Sequence, residues 1–201
     1  MRQVFIQVIQ GRTTDADGLR RQLDRWQDEL GPGATGYLGT TGGVAEDGTA
    51  IMLARFESEE AARANSDRPE QGAWWAETAK FFDGEVTFRD CTDVDTTLAG
   101  GSDDAGFVQV MQGRVRDRQR LRALEEVFVK QMTELRPDVI GSVRAWDGDF
   151  FTEAIYFTSE EEARKGEASM PESGGEEFEE YTALVEDLTY IDLKDPWLRS
   201  P

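Results

Sequence analysis

The chain has 201 residues, 38% of them hydrophobic and 31% charged, with 41 acidic against 22 basic side chains and a net charge of −19. That composition supports a packed core of one or two domains. It makes a poor partner for nucleic acid or an anionic membrane surface, where Lys and Arg supply the attraction. There is no histidine and one cysteine, Cys91, which excludes His-dependent triads, His-ligated zinc, proximal-His haem and an internal disulfide.

The N-terminal Met1-Arg2-Gln3-Val4 leads straight into a strand pattern near 3–10, with no secretory segment. No apolar run approaches the roughly 20 residues that span a bilayer, so a cytoplasmic protein is expected. In the first strand Val4, Ile6 and Val8 point one way, Phe5 and Ile9 the other. Leu19, Leu23, Trp26 and Leu30 share one helical face, and Gly31-Pro32-Gly33 stops that helix. Strands near 34–41 and 49–56 meet at Asp47-Gly48, a hairpin signal expected to put both central residues at positive φ. Helices near 58–65 and 70–82, broken at Arg68-Pro69, and a strand near 85–91 follow. Cys91 reads as a small buried hydrophobe at that strand's end.

The order then repeats. Phe5-Ile6-Gln7-Val8-Ile9-Gln10-Gly11-Arg12 returns as Phe107-Val108-Gln109-Val110-Met111-Gln112-Gly113-Arg114, and Asp15 returns as Asp117. Ser58-Glu59-Glu60-Ala61-Ala62-Arg63 returns as Ser159-Glu160-Glu161-Glu162-Ala163-Arg164, and Val86-Thr87-Phe88-Arg89-Asp90 parallels Leu188-Thr189-Tyr190-Ile191-Asp192. Three blocks in one order at near-constant spacing indicate a duplicated unit. The second copy has a helix on Leu121, Leu124, Phe128, Met132 and Leu135, stopped at Arg136-Pro137. Strands near 138–146 and 150–157 join at Asp147-Gly148, then come a helix break at Met170-Pro171, a helix near 175–185 and a strand near 187–193.

Each copy is a β-α-β-β-α-β unit, the ferredoxin-like order. The expected class is α+β: residues 1–92 as the first unit, 93–105 as a polar linker, and 106–201 as the second unit with a C-terminal tail. Strands apolar on both faces imply two buried sheet faces, so the two sheets are expected to pack face to face. A Trp-Leu pair in the tail Pro196-Trp197-Leu198 is expected to dock on its own chain.

The stretch from Phe56 to Asn65, then Trp74-Trp75, then Val86 to Asp90 resembles the antibiotic biosynthesis monooxygenase (ABM) domain family of the dimeric α/β-barrel superfamily, here in tandem. The resemblance implies an intramolecular barrel and, in each half, a cavity between sheet and helices. In the cofactor-free oxygenase branch that cavity holds an aromatic substrate whose carbanion reacts with O₂, with no metal or cofactor. By position Asn65, Trp75 and Arg89 are the catalytic candidates, and Gln7, Trp74 and Phe88 the substrate-binding ones. An amide can hydrogen-bond an enolate oxygen, an Arg can stabilise developing charge, and an indole can stack on a planar ring.

Each residue also has a plainer role. Asn65 suits a helix C-terminal cap. Neighbouring helix residues diverge by about 100°, so one of Trp74 and Trp75 belongs to the core. Arg89 suits an exposed strand pair with a carboxylate. Gln7 and Gln109, each amid apolar neighbours, suit either mutual or backbone hydrogen bonds across the sheet interface, or a cavity amide.

The second unit departs from the pattern. An acidic run over 175–181 replaces the Trp pair, Ile191 replaces Arg89, and Asn65 maps near Gly166 or Glu167. Any site is therefore expected in the first unit. Haem-degrading members of the superfamily ligate iron through a His that this chain lacks. The expected function is a cofactor-independent monooxygenase acting on a small aromatic or polyketide-like substrate. The alternative is a non-catalytic small-molecule-binding or scaffold protein of the same fold. The expected assembly is a monomer with a pseudo-dimeric barrel, or a weak homodimer.

Overall fold

The computed structural model describes residues 4–169 and 175–201, side chains at 131, 132, 175, 177 and 178 excepted. The helix break expected at Met170-Pro171 and the glycine-rich stretch after it lie outside these residues. The chain divides into two compact units, Met1–Val94 with Asp195–Pro201, and Asp95–Lys194.

The first unit contains β1 (Phe5–Arg12), α1 (Ala16–Arg25), β2 (Tyr37–Val44), β3 (Thr49–Phe56), α2 (Glu59–Ser66), α3 (Pro69–Thr78) and β4 (Thr87–Cys91). Then come β5 (Asp93–Leu98), β6 (Phe107–Val115), α4 (Arg118–Leu135), β7 (Val139–Asp147), β8 (Phe150–Phe157), α5 (Glu160–Ser169), α6 (Gly175–Leu184), β9 (Val185–Leu193) and β10 (Trp197–Arg199). The sheet orders are β10-β2-β3-β1-β4 and β5-β7-β8-β6-β9. This is the α+β arrangement of tandem ferredoxin-like units, with one added edge strand in each sheet.

Those edge strands are the main departure from the sequence reading. Part of the polar 93–105 stretch is strand β5 and lies beside β7; the tail is β10 and lies beside β2. Both are pinned alike. Asp195 accepts from Arg20 Nη1 of α1 at 2.6 Å, and Asp95 accepts from Arg122 Nη2 of α4 at 3.0 Å. Asp95 also accepts from Trp146 Nε1 at 2.8 Å, while Trp197 is buried beside β2.

Two of the repeated polar residues are helix caps. Asp15 accepts from Gly18 N at 2.8 Å and Asp117 from Arg120 N at 2.9 Å. Ser58 accepts from Ala61 N and Ser159 from Glu162 N, both at 3.1 Å. Each cap satisfies an orphan N–H at a helix start and is worth about 1 kcal/mol. At the hairpins only the glycine takes positive φ, Gly48 at 86° and Gly148 at 62°. Asp47 instead keeps an ordinary φ and accepts from Thr49 N at 2.9 Å.

In the first unit Phe5, Tyr37 and Phe56 of the sheet pack against Trp26, Leu30, Ala62 and Trp74. The opposite sheet face, with Ile6, Val8, Ile51, Leu53 and Cys91, is buried as well. No described helix is long and apolar enough to cross a membrane.

Candidate functional site

Helix α1 does not run regularly to its stop signal. Over Trp26–Leu30 it widens into one π-turn, with Gly31 N–H reaching Trp26 O. A π-turn adds a residue to the helix turn and re-aims the side chains around it. Trp26 there meets Tyr37 edge-on at 4.7 Å and Trp74 at 6.4 Å between ring centroids.

These rings wall a cavity between the sheet and the helices. Gln7 and Ile9 of β1, Tyr37 and Thr40 of β2, and Met52, Ala54 and Phe56 of β3 form one side. Leu23, Trp26, Ala62, Asn65, Ser66, Gln71 and Trp74 form the other. The cavity itself measures about 70 Å³, short of the roughly 300–1,000 Å³ of small-molecule sites, and its empty space reaches about 590 Å³ only with the open mouth included. None of the lining side chains is charged. A smaller pocket adjoins it behind Leu23, Trp26, Tyr37 and Thr40, and there β10 contributes Trp197 and Arg199.

The polar lining groups are held from behind. Arg68 Nη1 donates to Asn65 Oδ1 at 3.0 Å and to the Leu30 carbonyl at 3.1 Å. Trp26 Nε1 donates to Gln71 Oε1 at 2.6 Å. Gln7 Nε2 donates to Asp90 Oδ1 at 2.8 Å. Tyr37 Oη and Thr40 Oγ1 share a hydrogen bond of 2.7 Å. Trp74 Nε1 is spent on the Gln22 carbonyl at 2.8 Å, so this indole offers the cavity only its ring.

The structure brings Gln7, Asn65 and Trp74 to one cavity and leaves the other three candidates outside its lining. Trp75, the next helix residue after Trp74, turns away to pack on Phe82 at 6.0 Å and Phe88 at 5.1 Å. Phe88 lies opposite Ile9 on the cavity side of the sheet, near its edge and 47% exposed. Arg89 lies opposite Val8, on the other sheet face. Side chains alternate along a strand, so Arg89 cannot share a cavity with Gln7 and Ile9. The trio Asn65, Trp75 and Arg89 therefore does not converge.

Asn65 is not a cap either: Asp67 caps α2, and Asn65 lies inside the helix with its side chain buried. Among the described residues, Gln7 and Gln109 bond neither to each other nor to backbone. Each donates to a cross-strand carboxylate, Asp90 or Asp192, the last residue of the third repeated block. Gln71 was missed by sequence reasoning. Its signal was the spacing of three from Trp74, which puts both on one helix face.

The second unit fills the matching place with charge. Register pairs Gly42 with Met52 in the first sheet and Arg144 with Glu153 in the second. A side chain at Gly42 would meet Met52 Cγ at 2.8 Å. Arg144 instead donates through Nε to Glu153 at 2.9 Å and through Nη2 to Glu125 of α4 at 2.5 Å. Ser142 donates to the other Glu153 oxygen at 2.6 Å. Arg144 and Glu153 are both buried. Burial pushes the Glu125 carboxyl above its ordinary range, with Arg144 pulling the other way. Burial, reinforced by the Glu153 charge, also raises the Tyr181 phenol. Among the described residues, no group of acidic or cysteine side chains is arranged to hold a metal ion.

No protein-family model and no curated protein sequence matches this chain. Solved structures do. A candidate monooxygenase from Fusobacterium nucleatum superposes with a TM-score of 0.76 at 8% identity, over 98% of this chain and 94% of that one. One from Lactobacillus acidophilus gives 0.75 at 10% identity, over 98% and 96%. An anthrone oxidase-like protein gives 0.66 at 12% identity, over 100% and 94%. At such identities the likeness is one of fold, and it spans both units. The chain shares the fold of these full-length structures, the tandem ferredoxin-like arrangement that the sequence repeat implied.

Proposed function

We propose that the first unit's cavity binds a small planar aromatic molecule and oxidises it with O₂ without a cofactor. The observation that carries this reading is the buried Asn65, whose amide oxygen is taken by Arg68 so that its N–H groups serve the cavity. An N–H donor beside Trp26, Trp74 and Phe56 suits an enolate oxygen on a stacked ring. The full-length fold neighbours, among them candidate monooxygenases and an anthrone oxidase-like protein, support the same chemistry.

For anthrone as the trial substrate, ionisation of the ring methylene gives an enolate that itself reduces O₂. That carbon loses two hydrogens and gains one oxygen, and the second oxygen atom leaves as water. The cavity lining holds no carboxylate or amine to take the proton, so the substrate must be acidic enough to ionise to solvent. Hydrogen bonds that favour the enolate lower its pKa and speed that step.

The test is O₂ uptake with anthrone, compared with Asn65→Ala. Turnover that falls in the variant supports the oxygenase. The uncharged lining also favours a second reading, a carrier that binds without turnover. Saturable anthrone binding with no O₂ uptake above the uncatalysed rate selects the carrier.

A further inference from the structure

The cavity's three amides are locked against flipping, each by a partner that can play only one part. Arg68 and the Trp26 indole have N–H groups and no acceptor, so each must face an amide oxygen. Asn65 and Gln71 therefore turn their nitrogens the other way. Among the described residues, neither nitrogen has a protein acceptor. No buried side-chain nitrogen or oxygen there lacks a partner, so both nitrogens are accessible, and both residues line the cavity. The Asp90 carboxylate only accepts, which turns the Gln7 oxygen away from it.

We infer that Gln71, positioned by Trp26, is a specificity residue that makes this cavity select ring ligands carrying an acceptor oxygen on the α2–α3 side. Asn65 and Gln71 supply two donors on that side, and Gln7 supplies an acceptor on the sheet side. A ring lacking such an oxygen would leave both amide nitrogens desolvated and unpaired, and that loss is what discriminates. Trp26 is the positioning residue: its N–H, aimed by the π-turn, fixes which end of Gln71 a ligand meets.

The inference rests on the aromatic-ligand reading above, and the probes separate the two. Equilibrium dialysis of the full chain is run with anthrone, which has a ketone oxygen, and with 9,10-dihydroanthracene, which has the same three rings and none. The wild type is expected to prefer anthrone at least tenfold. Gln71→Met, similar in length but without the amide, is expected to lower that ratio about tenfold with the dihydroanthracene affinity little changed. Trp26→Phe, which frees Gln71 to turn, is expected to lower the ratio as well. A merely structural role would weaken both probes together and leave the ratio standing, which overturns the inference. Equal binding of both probes by the wild type overturns it too, with the aromatic-ligand reading intact. Binding of neither probe overturns both.

Discussion

The two units share a topology and differ at the same place in their cores. In the first, Met52 and Ala54 line the cavity and Met52 covers Gly42; in the second, Glu153, Ile155 and Arg144 occupy the matching register positions. Duplicated chains keep caps, turns and strand order because these set the fold. The helix-facing side of the sheet is where a copy can change. One copy has an uncharged cavity there, and the other has a buried arginine held between two carboxylates.

The comparison breaks first at Arg144. Its replacement by Met strands Glu125 and Glu153 without their cation, and breaking a buried pair costs about 3–5 kcal/mol. Urea unfolding is expected to show a loss of that size. A loss below about 1 kcal/mol would mean the ionic core is not what fills the second unit. Next in size is Asn65→Ala, which removes one cavity donor. Anthrone affinity in equilibrium dialysis is expected to fall about tenfold, the worth of one hydrogen bond of about 1.4 kcal/mol.

The shared features should behave alike in both copies. Ser58→Ala and Ser159→Ala each remove an N-cap and are expected to cost about 1 kcal/mol by chemical denaturation. A large inequality between them would show that the repeat is not energetically equivalent at its caps. Smallest is the pH response of Glu125. Burial raises its native carboxyl above the ordinary carboxylate range, so the native state holds its proton more tightly than the unfolded one. That contribution to stability is complete below the unfolded value and is lost as pH rises through the native value. Wild type is therefore expected to lose stability relative to Glu125→Gln as pH climbs through that window. Parallel stability curves would contradict the assignment.

Much of the fold was legible because local chemistry repeats. Asp15 and Asp117, Ser58 and Ser159, and the two Asp-Gly turns each carry their structural role in the residue itself. The edge strands were not legible. β5 is polar and β10 has three residues, and their pairing with distant β7 and β2 leaves no periodic signature. The site was half legible. Trp74 and Asn65 stood out as residue types in a recognised pattern, and Gln7 as a repeated polar residue among apolar ones. Arg89 misled because its residue type fits the chemistry while its strand parity faces it away. Gln71 gained its meaning only from Trp26, 45 positions earlier. The ionic core was hidden because Arg144 and Glu153 look like the solvent side of alternating strands until the helix covering them is known.

The proposed site lies in the first unit and not in the second. Binding stoichiometry tests this most directly. Equilibrium dialysis with anthrone is expected to give one site per chain, lost in the double variant Asn65→Ala, Gln71→Met. Two sites per chain, or one that survives that double variant, would contradict the account.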